Sequence, residues 1–133
     1  MKRILFLVVY AVMTCFTTVA QNIPTKEEFI KACDSLNIYH PNVVYAQARL
    51  ESGNFKTNYY NRTKNCLGIY DSKKKQYKVF NNWIECLVSY RDEVQHRWKY
   101  KECKDEEYLD WIISIGYAAD KDYRNKILRI MKK

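Results

Sequence analysis

Residues 54–81 interrupt a chain otherwise patterned for helices, and that interruption limits the folds open to it. Before it, Pro24-Thr25-Lys26-Glu27-Glu28 opens a helix with Thr25 and Glu28 at capping-box spacing. Phe29, Ile30, Cys33 and Leu36 form its apolar stripe, which ends near Asn37. His40-Pro41-Asn42 opens a second helix that runs from Val43 to about Glu51 and stops at Ser52-Gly53. After the interruption, Asn82 caps a third helix with Glu85 at its capping-box position. Trp83, Cys86, Leu87, Tyr90, Val94 and Trp98 are its expected buried stripe. A polar connection spans 99–104. A fourth helix is predicted from Asp105 to Ile115, ended by Gly116, and a last one starts near Asp120-Lys121-Asp122 and turns Tyr123, Ile127, Ile130 and Met131 inward.

Inside the interruption the pattern changes to asparagines, lysines and short apolar runs. Residues 67–70 and 76–80 read as two short strands around a turn at 71–75. The expected fold class is therefore α+β, mainly α, with a helical lobe and a small β-hairpin lobe flanking a cleft. With 133 residues, no repeat and no linker, this is one domain. An apolar fraction of 47% excludes a disordered chain, and only 3 Gly and 2 Pro exclude a fibrous one.

Residues 1–20 carry Lys2 and Arg3, an apolar run from Ile4 to Val12, and Thr18-Val19-Ala20 at the end. This is the layout of a secretory signal with cleavage after Ala20, leaving a domain at 21–133. Val12-Met13-Thr14 before Cys15 fits a lipoprotein signal poorly. The apolar run is too short for a comfortable span, so no stable membrane insertion is expected after cleavage. The expected location is exported, periplasmic or secreted. Losing Lys2 and Arg3 leaves 21 basic side chains against 15 acidic ones, a net +6. That charge suits anionic surroundings without naming them. Lys73-Lys74-Lys75 reads as a solvated turn, and no nucleic-acid partner is expected.

Export puts Cys33, Cys66, Cys86 and Cys103 in an oxidising compartment, where two disulfides can form in three connectivities. The alternative is small buried hydrophobes. The cysteines lack CxxC spacing, and His40 and His96 stand isolated, so neither a metal nor a cofactor is expected.

One carboxylate is out of pattern. Val44, Ala48 and Glu51 share a helical face, with Gln47 beside them. Partial burial and the negative helix end both disfavour the charged form of Glu51 and predict a raised pKa. A carboxyl group that keeps its proton near neutral pH suits glycosidic bond cleavage, where the leaving oxygen must be protonated. Tyr59, Tyr60, Tyr70 and Tyr77 in or near the hairpin, with Tyr117 and Tyr123, offer flat faces and hydroxyls to sugars.

Four stretches carry a resemblance. Residues 43–53 (VVYAQARLESG) resemble the A-Q-x-x-x-E-S-G signature of bacterial peptidoglycan β-N-acetylglucosaminidases, glycoside hydrolase family 73, within the lysozyme-like superfamily. Lys64 to Ile69 is similar to that family's N-N-L-F-G-I segment, 77–90 to its Y-x-x-F-x-S-x-x-E-S-x-x-D-Y segment, and 117–123 to its Y-A-T-D-P-x-Y segment. The resemblance implies a lysozyme-like fold and a monomer acting on peptidoglycan glycan strands at the GlcNAc-β-1,4-MurNAc bond. It implies Glu51 as general acid and Tyr117 as its supporting tyrosine. Asn65, Gly68 and Tyr123 are expected to shape the cleft and, with Gln47 and Tyr70, to bind substrate. Asp71 is the only acid between Gly53 and Glu85 and the candidate second carboxylate; without it the substrate's 2-acetamido group serves as nucleophile. Asn54 stands where an aromatic is usual, Cys66-Leu67 replaces Leu-Phe, and Lys121 replaces Pro. The other activities considered are a muramidase, a lytic transglycosylase, or a non-catalytic glycan-binding envelope protein.

Overall fold

The capping signals define the ends of the elements. The computed structural model describes residues 23–99 and 102–133; the expected signal, 1–20, lies outside the described residues. Helix α1 is Lys26–Ser35. Thr25 Oγ1 accepts from the Glu28 N–H at 3.1 Å, and Glu28 Oε2 accepts from the Thr25 N–H at 2.9 Å, so the capping box is complete. Helix α2 is Pro41–Glu51, with Pro41 at its first position. Helix α4 is Trp83–Glu93, capped by Asn82. Its box is half as predicted, because the Glu85 carboxylate accepts instead from the Asn81 N–H at 2.9 Å. Helices α5 (Asp105–Ser114) and α6 (Tyr123–Met131) follow.

Three features depart from expectation. A short helix, α3 (Asn58–Thr63), sits inside the interruption, capped by Thr57. Its six residues bury only Tyr60, too little to show a period. The hairpin is smaller than predicted: β1 is Tyr70–Asp71 and β2 is Gln76–Tyr77, antiparallel, with Tyr70 opposite Tyr77. And α4 ends at Glu93, so the segment toward Trp98 continues as a 3₁₀ turn over Gln95–Arg97.

Helix α2 is the centre of the molecule. It packs on α1, α5 and α6, and Val43, Val44, Ala46, Gln47 and Ala48 are buried. Phe29 of α1 stacks on Trp83 of α4 at 5.5 Å, and Leu87, Leu109, Ile112 and Ile127 close the core. All four described cysteines are free thiols, with Cys33, Cys66 and Cys86 buried. Burial pushes the Cys33 thiol up to about 12 and Cys66 well above its ordinary value, so these behave as small hydrophobes. His40 is not isolated: its Nδ1 lies 2.8 Å from Asp105 Oδ1, its Nε2 3.3 Å from Cys103 Sγ, and its ring stacks on Tyr108 at 4.7 Å. Among the described residues no cluster of three His, Cys, Asp or Glu side chains is placed to hold a metal ion, and no helix is long and apolar enough to cross a membrane.

The hairpin is too small to hold itself together. Asn65 fastens it. Its fully buried amide donates to the Ile69 carbonyl at 2.8 Å and the Lys78 carbonyl at 3.0 Å, and its oxygen accepts from the Ile69 N–H at 2.9 Å. An ion pair between Lys78 and Glu93 ties β2 to α4. Asn65→Ala leaves these backbone groups unpaired in the interior; we expect a loss on the order of 3 kcal/mol in urea unfolding, with helix content before the transition unchanged by circular dichroism.

Candidate active site

The E-S-G stretch has a local physical cause. Ser52 is fully buried at the end of α2; its hydroxyl donates back to the Ala48 carbonyl and accepts from the Phe55 N–H at 2.8 Å. Gly53, Asn54 and Phe55 then follow one another with positive φ, a sharp reversal that swings Phe55 into the core against Phe29 and Tyr60. The core position of Phe55 explains why Asn54 needs no ring. Arg49, the basic residue of the last turn, donates to Asn54 Oδ1 at 2.9 Å. Glu51 thus ends a buried helix with no ion pair among the described residues. Burial raises its carboxyl pKa above the ordinary carboxylate value.

Gly68 faces that carboxyl. A β-carbon there would lie 3.3 Å from Glu51 Oε2, and the residue has a φ of +66°. Both facts favour glycine. Tyr117 holds the loop in place: its hydroxyl donates to the Leu67 carbonyl. Beyond Gly68 and Tyr117 opens a cleft of about 830 Å³, bounded also by Tyr70, Asp71, Lys73, the end of α4 and Arg97. Four residues singled out from sequence, Gly68, Tyr70, Asp71 and Tyr117, therefore line one cleft. Glu51 is not on that wall; it lies against Gly68.

Tyr70 is 52% exposed and meets Tyr77 edge-on at 5.3 Å, while Tyr77 meets Tyr59 at 5.4 Å. These three rings give the hairpin an aromatic edge suited to sugar faces. Tyr60 is buried and does not join them.

Two of the expected substrate contacts are elsewhere. Gln47 is fully buried, with Nε2 donating to the Tyr123 hydroxyl at 3.2 Å and Oε1 accepting from Tyr90 at 2.8 Å. Asn65 is spent on the hairpin. Neither side chain reaches solvent: the Asn65 amide is held by the hairpin backbone and the Gln47 amide by the Tyr123 and Tyr90 hydroxyls. Tyr123 is 3% exposed and lies behind Tyr117, their rings 6.4 Å apart. Asp71 lines the cleft, but its Oδ1 accepts from the Lys73 and Lys74 N–H groups at 3.0 and 3.1 Å. The Lys74 N–H is the main cause that holds its carboxyl below the ordinary value. Sequence reasoning missed Arg97 and Glu93, which come to the cleft from a part of the chain where the pattern gave only a helix face.

Two outcomes test this geometry. Gly68→Ala is expected to cost about 1–3 kcal/mol in urea unfolding and to displace the Glu51 carboxyl. Because Glu51 binds its proton more tightly folded than unfolded, folding loses stability as pH rises from the ordinary Glu value through the raised one. Glu51→Gln removes that loss. Its melting temperature is expected to exceed that of the unmodified protein near neutral pH, the gap closing below about pH 4.

Comparison with known proteins adds one match. Residues 26–133 match the glucosaminidase family, described as mannosyl-glycoprotein endo-beta-N-acetylglucosaminidase. No curated protein and no solved structure matches the chain significantly. The match covers the six α-helices of the described residues, the hairpin and every residue of the cleft, and the chain belongs to the glucosaminidase family of glycoside hydrolases.

Proposed function

We propose that the protein is an exported peptidoglycan hydrolase that cleaves the β-1,4 bond between N-acetylglucosamine and N-acetylmuramic acid, with Glu51 as general acid. The observation that carries this reading is the Glu51 carboxyl, half-buried at a helix end, free of any ion pair among the described residues, and pressed against a glycine beside a cleft. The exposed tyrosine edge of the hairpin gives sugar rings a surface to lie on. Glu51 gives its proton to the leaving sugar oxygen. Tyr117 acts through the loop it fastens, keeping Gly68 against the acid. Asp71 is a poor base, since its turn holds its carboxyl in the ionised form. The substrate's own 2-acetamido oxygen therefore attacks the anomeric carbon as the leaving oxygen departs with the Glu51 proton, and a water that gives its proton back to the Glu51 carboxylate then opens the oxazolinium ring. The signal-like layout of residues 1–20 supports export.

Purified sacculi test the reading. The mature protein is expected to release fragments with new N-acetylglucosamine reducing ends. Glu51→Gln is expected to lose about 10²–10⁴-fold in rate, and Asp71→Asn to keep most of its activity. N-acetylmuramic acid reducing ends would make the protein a muramidase, and anhydro-muramyl ends a lytic transglycosylase. Loss of turnover in Asp71→Asn as deep as in Glu51→Gln would return the base to Asp71.

A further inference from the structure

The ionic groups on the cleft wall are unevenly matched within the chain. Three carboxylates line it, and each is engaged by donors of the protein itself. Asp71 Oδ1 accepts from the Lys73 and Lys74 N–H groups at 3.0 and 3.1 Å. Asp92 pairs with the neighbouring Arg91, whose Nε lies 2.8 Å from its Oδ1. Glu93 pairs with Lys78, itself a wall residue, and its other oxygen accepts from the Ser89 hydroxyl at 2.8 Å. Two cations are left over. Lys73 lies in the turn of the hairpin and Arg97 closes the 3₁₀ turn after α4; both are exposed. Among the described residues neither Lys73 Nζ nor the Arg97 guanidinium joins an ion pair.

An unpaired lysine on a basic surface is ordinary. An arginine and a lysine brought from distant parts of the chain to the same cleft as Gly68 and Tyr117 are in the path of whatever reaches Glu51. A guanidinium offers two parallel N–H groups that match the two oxygens of a carboxylate, and an ammonium adds a point charge. The same wall carries Tyr70, whose exposed ring suits a neutral sugar face. The cleft is therefore fitted to a sugar that bears an acidic substituent. On the function proposed above, the two sugars of the substrate differ in this respect: N-acetylglucosamine is neutral, whereas N-acetylmuramic acid carries a lactyl ether. Its carboxyl is either free or extended by a peptide with carboxylates of its own.

We propose that Arg97 and Lys73 form a carboxylate subsite of the cleft that takes the acidic, lactyl-borne substituent of a muramyl sugar. They act on specificity and take no part in the proton transfer from Glu51. Their contribution belongs to binding and to KM, with kcat little changed. The subsite makes the enzyme prefer acidic strands to a neutral polymer of N-acetylglucosamine, although both present the same β-1,4 linkage. The lactyl carboxylate and the carboxylates of an attached peptide are its two sources of ligand. The proposal rests on the reading of the cleft as a peptidoglycan site.

The test is calorimetric titration of the Glu51→Gln protein, which binds without turnover, at low salt. Three probes are used: soluble glycan fragments that keep their peptides, the same fragments with the peptides removed so that the lactyl carboxylate is bare, and a neutral tetramer of β-1,4-linked N-acetylglucosamine. Adding Arg97→Ala is expected to weaken binding of an acidic probe about fivefold and to leave the neutral tetramer unchanged. Lys73→Ala is expected to act in the same direction, Arg97→Lys to recover part of the loss, and 0.5 M salt to shrink every one of these differences. Both side chains are exposed, so unchanged melting temperatures are expected. An effect confined to the peptide-bearing probe assigns the carboxylate to the peptide, and one confined to the bare fragments assigns it to the lactyl group. The subsite is overturned if neither acidic probe binds, if both alanine variants bind both acidic probes as before, or if the neutral tetramer loses as much as they do. Sacculus digestion is read separately. Unmodified protein that leaves sacculi intact, yet binds acidic fragments through Arg97, would sink the hydrolase reading and leave the subsite standing.

Discussion

Glu51 closes a helix that other elements press on from several sides, and this one placement governs the site. A carboxylate at a helix C-terminus meets the negative end of the peptide dipoles. Burial adds a second cost to its ionisation. The one basic side chain in that last turn, Arg49, is directed to Asn54 and leaves both costs uncompensated. The same α2 that fills the core with Val43, Val44, Ala46 and Ala48 therefore shifts the acid toward its protonated form. Core and site are not separable here, because any slip of the helix moves both.

The loop from Asn65 to Ile69 is the counterpart of that helix. Asn65 braces it from inside, Tyr117 holds its Leu67 carbonyl, and Gly68 presents bare backbone to the carboxyl. Three different residue types thus act on one short stretch, each for a distinct physical reason. Cys66 sits in this stretch as a fully buried small apolar group. The aromatic ring usually placed after E-S-G is likewise replaced by Phe55, brought inward by three successive left-handed residues.

Much of this was legible in the chain because it is local. Thr25 with Glu28, Pro41 after His40, and Asn82 before Trp83 mark their helices within a few residues. The Glu51 anomaly was visible as a charge on an apolar face. Long-range pairings were not. Gln47 reads as a polar neighbour of Glu51 and a substrate contact, until Tyr90 and Tyr123, far along the chain, take both ends of its amide. Asn65 reads as a cleft residue, but the hairpin uses it. Gln95 carries no sequence signal at all, since a glutamine after a helix is ordinary until Tyr39 is seen to face it. Helix α3 was missed for the opposite reason: it is too short for periodicity to register.

The size of the hairpin has a further meaning for what the cleft can admit. Strands of two residues make a kerb along one side and leave the top uncovered, with Tyr70 and Tyr77 half out of the surface. A trough of that kind takes a long polymer sideways, anywhere along its length, where a tunnel would demand a free end to thread. On the function proposed above, an enzyme so built would cut strands in mid-run, and the average strand length of its substrate would fall steeply before much soluble sugar appears.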